Sequence, residues 1–243
     1  MTAVDGDGDI DERSANRRER SLARAIPLPA LVIFDCDGVL VDSEAISSRV
    51  LAQTLTRYGL PTTPADVQRD YEGLLLRDID KRAGAKLGRD LPDDWIKLFQ
   101  AERAEVFRRE LQPVNGAGEA VERIVAAGVP VCVASQGMIE KTRLSLALTG
   151  LDRLFSEELL FSAWLVERGK PFPDLFLHAA ATLGVEPGCC AVVEDSVSGV
   201  TAAVAAGMRA IGYAAHGEGA ALREVGAEVV GSMRAVPSVL GLE

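Results

Sequence analysis

Histidine and cysteine are scarce in this sequence, and their scarcity excludes several kinds of site. His178 and His216 are the only two histidines, and no cysteine or histidine spacing matches a metal-binding pattern. Three of the four cysteines lie in or beside apolar runs and two are adjacent, which is not the pattern of a disulfide framework. Such cysteine usage is typical of a reducing compartment, so we expect a cytoplasmic protein.

Long hydrophobic runs and basic stripes are also missing. No apolar stretch is long enough to cross a bilayer, and the N-terminus has no apolar segment of the kind found in signal peptides. The formal net charge of −10 argues against nucleic acid or an anionic membrane as a partner. An acidic protein can still bind a small anion through a few well-placed cations.

The pattern that remains predicts an α/β fold. Residues 1–28 are polar, charged and without period, which indicates a flexible N-terminal tail. In the region 112–243, short β-branched runs alternate with helical patterns, and this predicts a parallel sheet with helices on both faces. Residues 44–111 are helical throughout and too long for an ordinary connection, so we predict an all-helical insertion into a core formed by 29–43 and 112–243.

The first predicted strand ends in two carboxylates. An apolar run from Leu31 to Phe34 is followed by Asp35, Cys36 and Asp37. In extended chain, residues i and i+2 point to the same side, so the two aspartates can face one point in space. Two such carboxylates repel each other unless a cation lies between them or one is protonated. This ending therefore indicates either an unfavourable turn or an active site.

A serine follows the strand predicted at 129–134. In Ser135-Gln136-Gly137, a hydroxyl and free backbone N–H groups at a helix start form a possible anion site. The alternative is that Ser135 only caps the helix. Ser43 occupies a similar position after the first strand, and we expect its hydroxyl to cap the helix that follows.

Two more charged segments lie at or between strand ends. Glu194 and Asp195 follow the strand predicted at 190–193, although Asp195 could only cap the next helix. Lys170 precedes two prolines and is held on a stiff segment, although a lone lysine is usually a surface residue. Because ligands bind at the carboxyl ends of parallel strands, we expect Glu194 and Asp195 to lie near the aspartates.

Taken together, these motifs resemble the haloacid-dehalogenase-like superfamily of phosphatases and phosphomutases. The segment from Asp35 to Glu44 looks like its signature, and Gly169 to Asp174 and Val193 to Gly199 are similar to other hallmarks of the subgroup with a helical cap. The resemblance covers residues 30 to about 230. Within the subgroup, the chain is most similar to bacterial sugar-phosphate phosphatases, including the 6-phosphogluconate phosphatase type, and somewhat less similar to β-phosphoglucomutases.

The resemblance implies a Rossmann-like core, with the insertion 44–111 as a cap, and a Mg²⁺-dependent phosphatase. Its substrate would be a small phosphorylated metabolite, namely a sugar, sugar acid or polyol phosphate. Asp35 is implied to be the ionised nucleophile that forms an aspartyl-phosphate, and Asp37 the proton carrier. The side chains of Asp35 and Asp195 and the backbone carbonyl of Asp37 are implied to hold Mg²⁺, with Glu194 close by.

The resemblance also implies how phosphate and substrate are bound. Ser135 and Gln136 would contact the phosphoryl group, although the family usually has Asn or another small residue at the second of these positions. Lys170 would place a compact charge beside the nucleophile. In the cap, Arg49 and Arg77 are candidate substrate contacts and Glu72-Gly73 a candidate specificity turn. The alternative for each arginine is a solvated or ion-paired surface residue.

Several other functions compete with the phosphatase. A β-phosphoglucomutase-like mutase would use the same core, but β-phosphoglucomutases have a histidine at the position of Ser47. The predicted cap of this chain contains no histidine. Arg77 is also one residue away from the position at which mutases have an arginine in the specificity turn. A dehalogenase or phosphonatase would usually lack Asp37. A non-catalytic binding protein would be expected to lose at least one of the motif residues, all of which are retained.

Overall fold

The computed structural model of the protein describes residues 28–71, 73–215, 217 and 219–242. The predicted tail, apart from Leu28, lies outside the described residues, as does Glu72 of the predicted specificity turn. Within these ranges, no helix is both long enough and apolar enough to cross a membrane.

A parallel sheet of six strands forms the centre of the described structure. The strands are β1 (Leu31–Phe34), β2 (Val131–Ser135), β3 (Leu160–Ser162), β4 (Cys190–Glu194), β5 (Arg209–Tyr213) and β6 (Glu228–Val230). They lie in the order β3-β2-β1-β4-β5-β6, and Phe34 of β1 pairs with Val193 of β4. Strands β2 and β3 are added in sequence on one side of β1, and strands β4 to β6 are added on its other side. The boundary between β1 and β4 is therefore the place where the strand order changes direction, and open parallel sheets bind ligands at such a place, at the carboxyl ends of the strands.

Helices occupy most of the remaining described chain. They are α1 (Glu44–Arg57), α2 (Pro64–Tyr71), α3 (Leu76–Leu87), α4 (Trp95–Glu110), α5 (Ala117–Ala126), α6 (Ile139–Thr149), α7 (Asp174–Thr182), α8 (Val197–Ala205), α9 (Gly219–Glu224) and α10 (Val236–Val239). Short 3-10 helices lie at Asp152–Leu154, Glu157–Leu159, Ala163–Leu165, Pro187–Cys189 and Met233–Ala235. The short helices α9 and α10 were not predicted, because neither is long enough to show a helical period.

The side chains of strand β1 are apolar on both faces of the sheet, so both faces must be covered. Its side chains are fully buried: Val32 and Phe34 belong to one apolar cluster, and Leu31 and Ile33 belong to the other. Alternate side chains of a strand point to opposite faces, so both faces of β1 must be packed by helices. Each such side chain stabilises the fold by about 2 kcal/mol when it is removed from water. The predicted α/β fold class is thereby confirmed.

The four helices between β1 and α5 lie in the range where the sequence predicts an all-helical cap. Their centre is apolar, with Leu55, Trp95 and Phe99 buried together. The indole N–H of Trp95 donates to Asp80 at 2.7 Å. The chain enters and leaves this segment side by side, because the N–H of Asp42 donates to the carbonyl of Gln112 at 2.9 Å. The division of the chain into core and cap domains remains a prediction.

One local prediction in this region is wrong. Ser43 precedes α1, but its hydroxyl makes no capping hydrogen bond to that helix. The hydroxyl donates instead to the carboxylate of Asp37. The carboxylate is the stronger acceptor, because hydrogen bonds to ionised groups are about twice as strong as neutral ones.

Candidate active site

The nucleophile candidate Asp35 directly follows β1 and is buried in an ion pair. The ammonium group of Lys170 contacts its carboxylate and donates to Glu194 Oε1 at 2.7 Å and to the carbonyl of Ala134 at 3.1 Å. The same nitrogen lies 5.0 Å from the centre of the Phe176 ring. All three protons of Lys170 therefore have acceptors, and the lysine joins the end of β1 to the end of β4.

Charge and burial act in opposite directions at this pair. Burial acts to raise the pKa of Asp35, Lys170 acts to lower it, and repulsion from Glu194 and Asp37 adds to the rise, so that the net pKa is about 7. Burial lowers the pKa of Lys170, but attraction to Asp35 and Glu194 outweighs it, so the net shift is upward. The lysine is therefore charged throughout the physiological range, and it is the main source of positive charge beside Asp35.

The second aspartate has a different set of partners. The ammonium of Lys141, a buried residue of α6, contacts the carboxylate of Asp37, as does the Ser43 hydroxyl. Burial acts to raise the pKa of Asp37, but the charge and hydrogen bond of Lys141 and the bond from Ser43 outweigh it and lower the pKa. Lys141 was not singled out in the sequence. Its place in the first turn of the helix after Ser135-Gln136-Gly137 was the available signal.

The pKa values of the two aspartates are shifted in opposite directions, upward for Asp35 and downward for Asp37. The roles that the resemblance implies, an ionised Asp35 on a metal ion and a proton carrier at Asp37, remain a prediction. The cause is the distribution of cations, because Lys170 is shared between two buried carboxylates and Lys141 serves one. A divalent cation beside Asp35 would lower its pKa again, since a bound metal is the largest local charge in such a site.

The acids after β4 have separate surroundings. Glu194 Oε2 accepts hydrogen bonds from the backbone N–H and the hydroxyl of Ser196, both at 2.8 Å. Asp195 forms no ion pair or side-chain hydrogen bond with any described residue. Its pKa is raised well above the usual value by burial first, and then by the charges of Glu194, Glu44 and Asp35. Asp195 is therefore the carboxylate of this site that lacks a balancing cation.

Gly38 makes room for the Asp195 carboxylate. Its φ of +73° lies in the left-handed region. A Cβ at this position would lie 2.7 Å from Asp195 Cγ and would overlap its Oδ2. Because real Cβ contacts are not closer than 3.0 Å, the carboxylate could not occupy this place beside any other residue. The glycine brings the loop after β1 and the loop after β4 together.

The donor set fits a magnesium ion. Four carboxylates, those of Asp35, Asp37, Glu194 and Asp195, are matched by two ammonium groups in contact with them. The excess negative charge and the oxygen donors are the conditions under which Mg²⁺ is held. No group of three or more His, Cys, Asp or Glu side chains in the described chain is arranged as a ready metal site. The predicted set does not require one, since it uses two carboxylates and a backbone carbonyl.

A cavity of about 210 Å³ lies above these residues. Asp35, Asp37, Lys170 and Asp195 line it from the core. Its cap side is largely apolar, with lining residues Leu51, Val67, Leu75, Ile79 and Phe99. Arg103, one of the arginines of α4, also lines it and was not singled out in the sequence. The cavity can accommodate a small molecule beside the carboxylates.

The two residues of the predicted phosphate loop differ in their contacts. Ser135 is fully buried, its hydroxyl accepts from the N–H of Gly137 at 3.0 Å, and it lies 3.5 Å from Asp37 Oδ2. The Gln136 amide donates to the carbonyls of Gly73 and Lys170, at 3.1 and 3.2 Å, and accepts from the N–H of Lys170 at 3.1 Å. The side-chain amide of Gln136 therefore ties its own loop to the backbone at Gly73 and at Lys170, and the residue also lines the cavity.

The two cap arginines proposed from the sequence do not line the cavity, although Arg77 lies over the ring of Trp164, which does. Arg49 is exposed and pairs with Glu110, which ties the first cap helix to the last. The guanidinium of Arg77 lies 5.9 Å from the centre of the Trp164 ring and donates to the carbonyl of Glu167 at 3.4 Å. Neither is among the described residues that line the cavity. Arg49 is thus in an exposed ion pair and Arg77 is against an aromatic ring, and a substrate role for either remains a prediction.

Comparison with known proteins agrees with the motifs. The family model described as haloacid dehalogenase-like hydrolase matches residues 29–207. The 6-phosphogluconate phosphatase of Escherichia coli K12 is 34% identical over 76% of this chain and 82% of its own length. The β-phosphoglucomutase of Mycobacterium bovis is 34% identical over 86% of this chain and 92% of its own. A HAD family hydrolase from Deinococcus radiodurans, solved with bound phosphate and sodium, has a TM-score of 0.70 and 31% identity, with 90% of this chain and 98% of that chain covered.

Proposed function

Because this chain belongs to the haloacid dehalogenase-like hydrolase family, we propose that it is a Mg²⁺-dependent phosphatase of a small phosphorylated sugar, sugar acid or polyol. The proposed reaction passes through an aspartyl-phosphate on Asp35. The observation that carries the proposal is the buried Asp35 carboxylate, fixed by Lys170 at the end of the central strand and facing a cavity. Relatives named 6-phosphogluconate phosphatase and hexitol phosphatase support the substrate class.

In the first step, a carboxylate oxygen of Asp35 attacks phosphorus and the ester P–O bond breaks. The leaving oxygen takes a proton from Asp37. In the second step, Asp37 accepts a proton from water, which attacks phosphorus and releases inorganic phosphate and free Asp35. When held by Asp35, Asp195 and the backbone carbonyl of Asp37, Mg²⁺ would neutralise the charge that otherwise keeps a phosphate from a carboxylate.

The remaining groups hold these atoms in place. Lys170 reduces the repulsion between the Asp35 carboxylate and the incoming phosphate, and Glu194 and Gln136 fix the position of that lysine. Ser135 and the N–H groups that follow it are proposed to bind the phosphoryl oxygens. The helical cap limits the entry of water to the cavity while phosphorus is transferred.

Asp37 must change its protonation during the cycle. In the described arrangement Lys141 and Ser43 favour its ionised form, which is the form that accepts a proton from the attacking water. The first step needs the protonated form. We infer that substrate binding loosens the contact between Lys141 and Asp37, because the ammonium opposes protonation as long as it remains in contact.

Phosphate release from a panel of phosphorylated metabolites and an aryl phosphate, with Mg²⁺ and with EDTA, tests the proposal. We expect activity that requires Mg²⁺ and that falls by about a thousandfold or more in Asp35→Asn, because no other group can form the covalent intermediate. Asp152→Asn, an exposed aspartate of the core, serves as the control and should keep its activity. Equal activity in folded Asp35→Asn and wild type would contradict the mechanism.

A phosphosugar mutase is the second candidate, because relatives with that name match most of this chain. A mutase would return the phosphoryl group to a sugar hydroxyl instead of giving it to water. The assay that separates the two follows inorganic phosphate and sugar phosphate isomers together. Release of phosphate from a sugar monophosphate without a bisphosphate activator supports the hydrolase, whereas isomerisation that depends on the activator supports the mutase.

A further inference from the structure

One face of helix α4 is directed at the catalytic core. Gln100, Arg103 and Phe107 are spaced by three and four residues, so they lie on the same side of the helix. The amide of Gln100 donates to the sulfur of Met138 at 2.6 Å, and Lys141 Nζ lies 5.9 Å from the centre of the Phe107 ring. Both contacts are with residues at or before the start of α6, and Lys141 is also the residue that contacts Asp37. Arg103, between them on the helix, consequently lines the active-site cavity.

Aromatic rings hold the Arg103 guanidinium. Its Cζ lies 4.8 Å from the centre of the Phe99 ring and 5.7 Å from that of Phe107. A guanidinium is attracted to the faces of such rings, and the rings restrict where its five N–H donors can point. The side chain is half-buried, so part of it remains accessible from the cavity.

Arg103 differs from the other cations of the cavity because it has no carboxylate partner. Lys170 is paired with Asp35 and Glu194, and Lys141 is paired with Asp37. No described residue forms an ion pair or hydrogen bond with Arg103. Burial lowers its pKa, and the charge of Asp37 is what opposes that shift. A guanidinium is costly to bury without a hydrogen-bonded anion, and here that anion is not supplied by the described protein.

We propose that Arg103 is the specificity-determining residue of this enzyme and binds a second anionic group on the substrate, remote from the phosphoryl group transferred to Asp35. This inference rests on the proposed phosphatase function. The second group is a carboxylate or a second phosphate, because both match the planar fork of a guanidinium with two parallel hydrogen bonds. The favoured substrates are therefore phosphorylated sugar acids or sugar bisphosphates. Neutral sugar or hexitol monophosphates would leave the guanidinium unpaired.

The apolar cap side of the cavity makes this selection strong. Leu51, Val67 and Phe99 line the cap side of the cavity that Arg103 also lines, and the Phe99 ring contacts its guanidinium. An ion pair in such surroundings is screened less than one in water, and the loss of its partner is correspondingly more costly. Arg49 and Arg77 do not compete for this role, because both already have other contacts.

Two matched substrate pairs test the proposal. Sorbitol 6-phosphate and 6-phosphogluconate differ in a terminal hydroxyl against a carboxylate, and fructose 6-phosphate and fructose 1,6-bisphosphate differ in the second phosphate. The kcat/KM for all four, and for p-nitrophenyl phosphate, is measured with Mg²⁺ in wild type, Arg103→Met and Arg103→Lys. Arg109→Met, an exposed arginine of the same helix, is the matched control.

Wild type should prefer the anionic member of at least one pair by about tenfold or more. Arg103→Met should lower kcat/KM on that member by about tenfold to a hundredfold, and change the neutral member and the aryl phosphate by less than about threefold. Arg103→Lys keeps the charge but loses the planar fork of the guanidinium, so its kcat/KM on that substrate should lie between the values of wild type and Arg103→Met. Arg109→Met should resemble wild type. The pair that responds identifies the second group as a carboxylate or a phosphate.

Two results would overturn the proposal. One is a wild type that shows no preference for either anionic member. The other is an equal loss in Arg103→Met and Arg103→Lys on all five substrates, which would show that the arginine only supports the cap. If wild type releases no phosphate from any of the five substrates, p-nitrophenyl phosphate included, then the proposed phosphatase function itself is wrong, and the role of Arg103 is lost with it.

Discussion

The contact between Gly38 and Asp195 leads to a sharp prediction about the loop that carries the two aspartates. In Gly38→Ala, the new Cβ would lie 2.7 Å from Asp195 Cγ, whereas ordinary contacts of a Cβ begin at 3.4 Å. The Asp195 carboxylate, whose Oδ2 overlaps the new atom, must therefore move by about 1 Å, and misplacement of that size can lower catalysis about a hundredfold. We expect kcat/KM for the preferred substrate to fall by about that factor and the Mg²⁺ concentration for half-maximal activity to rise.

Gly207 provides the matched control. Its φ is also +73°, and a Cβ at this position would meet no atom within 4 Å. Gly207→Ala therefore carries the backbone cost alone, about 1 kcal/mol, because a side chain is disfavoured in the left-handed region. We expect its Tm to fall by about 2 to 4 °C while its activity stays within about twofold of wild type.

Thermal unfolding and Mg²⁺ titrations of both variants separate the two effects. Gly38→Ala should lose at least as much stability as Gly207→Ala, together with its activity. In the double variant Gly38→Ala/Asp195→Ala, the steric part of the stability loss should disappear, because the overlapping carboxylate is gone. If Gly38→Ala retains activity within about threefold of Gly207→Ala, then the position of Asp195 does not depend on this glycine and the reasoning is refuted.

Two further predictions concern charge. Lys141→Met leaves Asp37 without its cation and should lower the free energy of unfolding at pH 7 by about 3 kcal/mol, whereas Arg143→Met breaks an exposed pair on the same helix and should cost less than about 1 kcal/mol. Because the pKa of Asp37 is lowered in the folded protein, its ionised form contributes stability at pH values above 3.8, the pKa in the unfolded chain. In urea unfolding, the difference in stability between wild type and Lys141→Met should therefore shrink as the pH falls below 3.8. A difference that persists at low pH would contradict the ion-pair explanation. Second, the raised pKa of Asp35, about 7, means that the metal-free native state holds a proton that the unfolded chain releases near 3.8, so its stability falls as the pH rises through this window. Saturating Mg²⁺ should therefore raise the Tm more at about pH 8 than at about pH 5, and an equal shift at both would show that the ion does not bind the ionised Asp35.

Much of the fold could be predicted because it depends on local pattern. The apolar run Leu31–Phe34 forms β1, and the stretch predicted to be helical, 44–111, contains α1 to α4 and no strand among its described residues. Strand period and helix period are properties of neighbouring residues, so they can be read without knowing the fold. The short helix α9 was missed because six residues are too few to establish a period.

The candidate site was predicted less evenly. Asp35, Lys170 and Asp195 all lie at the carboxyl edge of the sheet, as the motif order predicts. Gln136 lines the cavity, and its amide reaches the backbone of Gly73 and Lys170, which the sequence did not predict; its contact with phosphate remains a prediction. The direction of a long polar side chain depends on which acceptors surround it, and those acceptors come from segments distant in sequence. For the same reason Arg103 carried no signal, since one arginine in a helical pattern resembles any other.

The sequence by itself therefore determined the alternation of strands and helices, the all-helical stretch after the first strand and the acids at the strand ends. Tertiary structure alone decided which cation meets which carboxylate. Lys170 reaches Asp35 across 135 positions and Lys141 reaches Asp37 across 104, and both contacts follow from the order of the strands in the sheet. The physical reason is that the electrostatic state of a carboxylate depends on all charges and on burial within a few ångströms, whatever their distance along the chain. As a result, the two neighbouring aspartates have pKa values shifted in opposite directions, which their spacing of two residues did not predict.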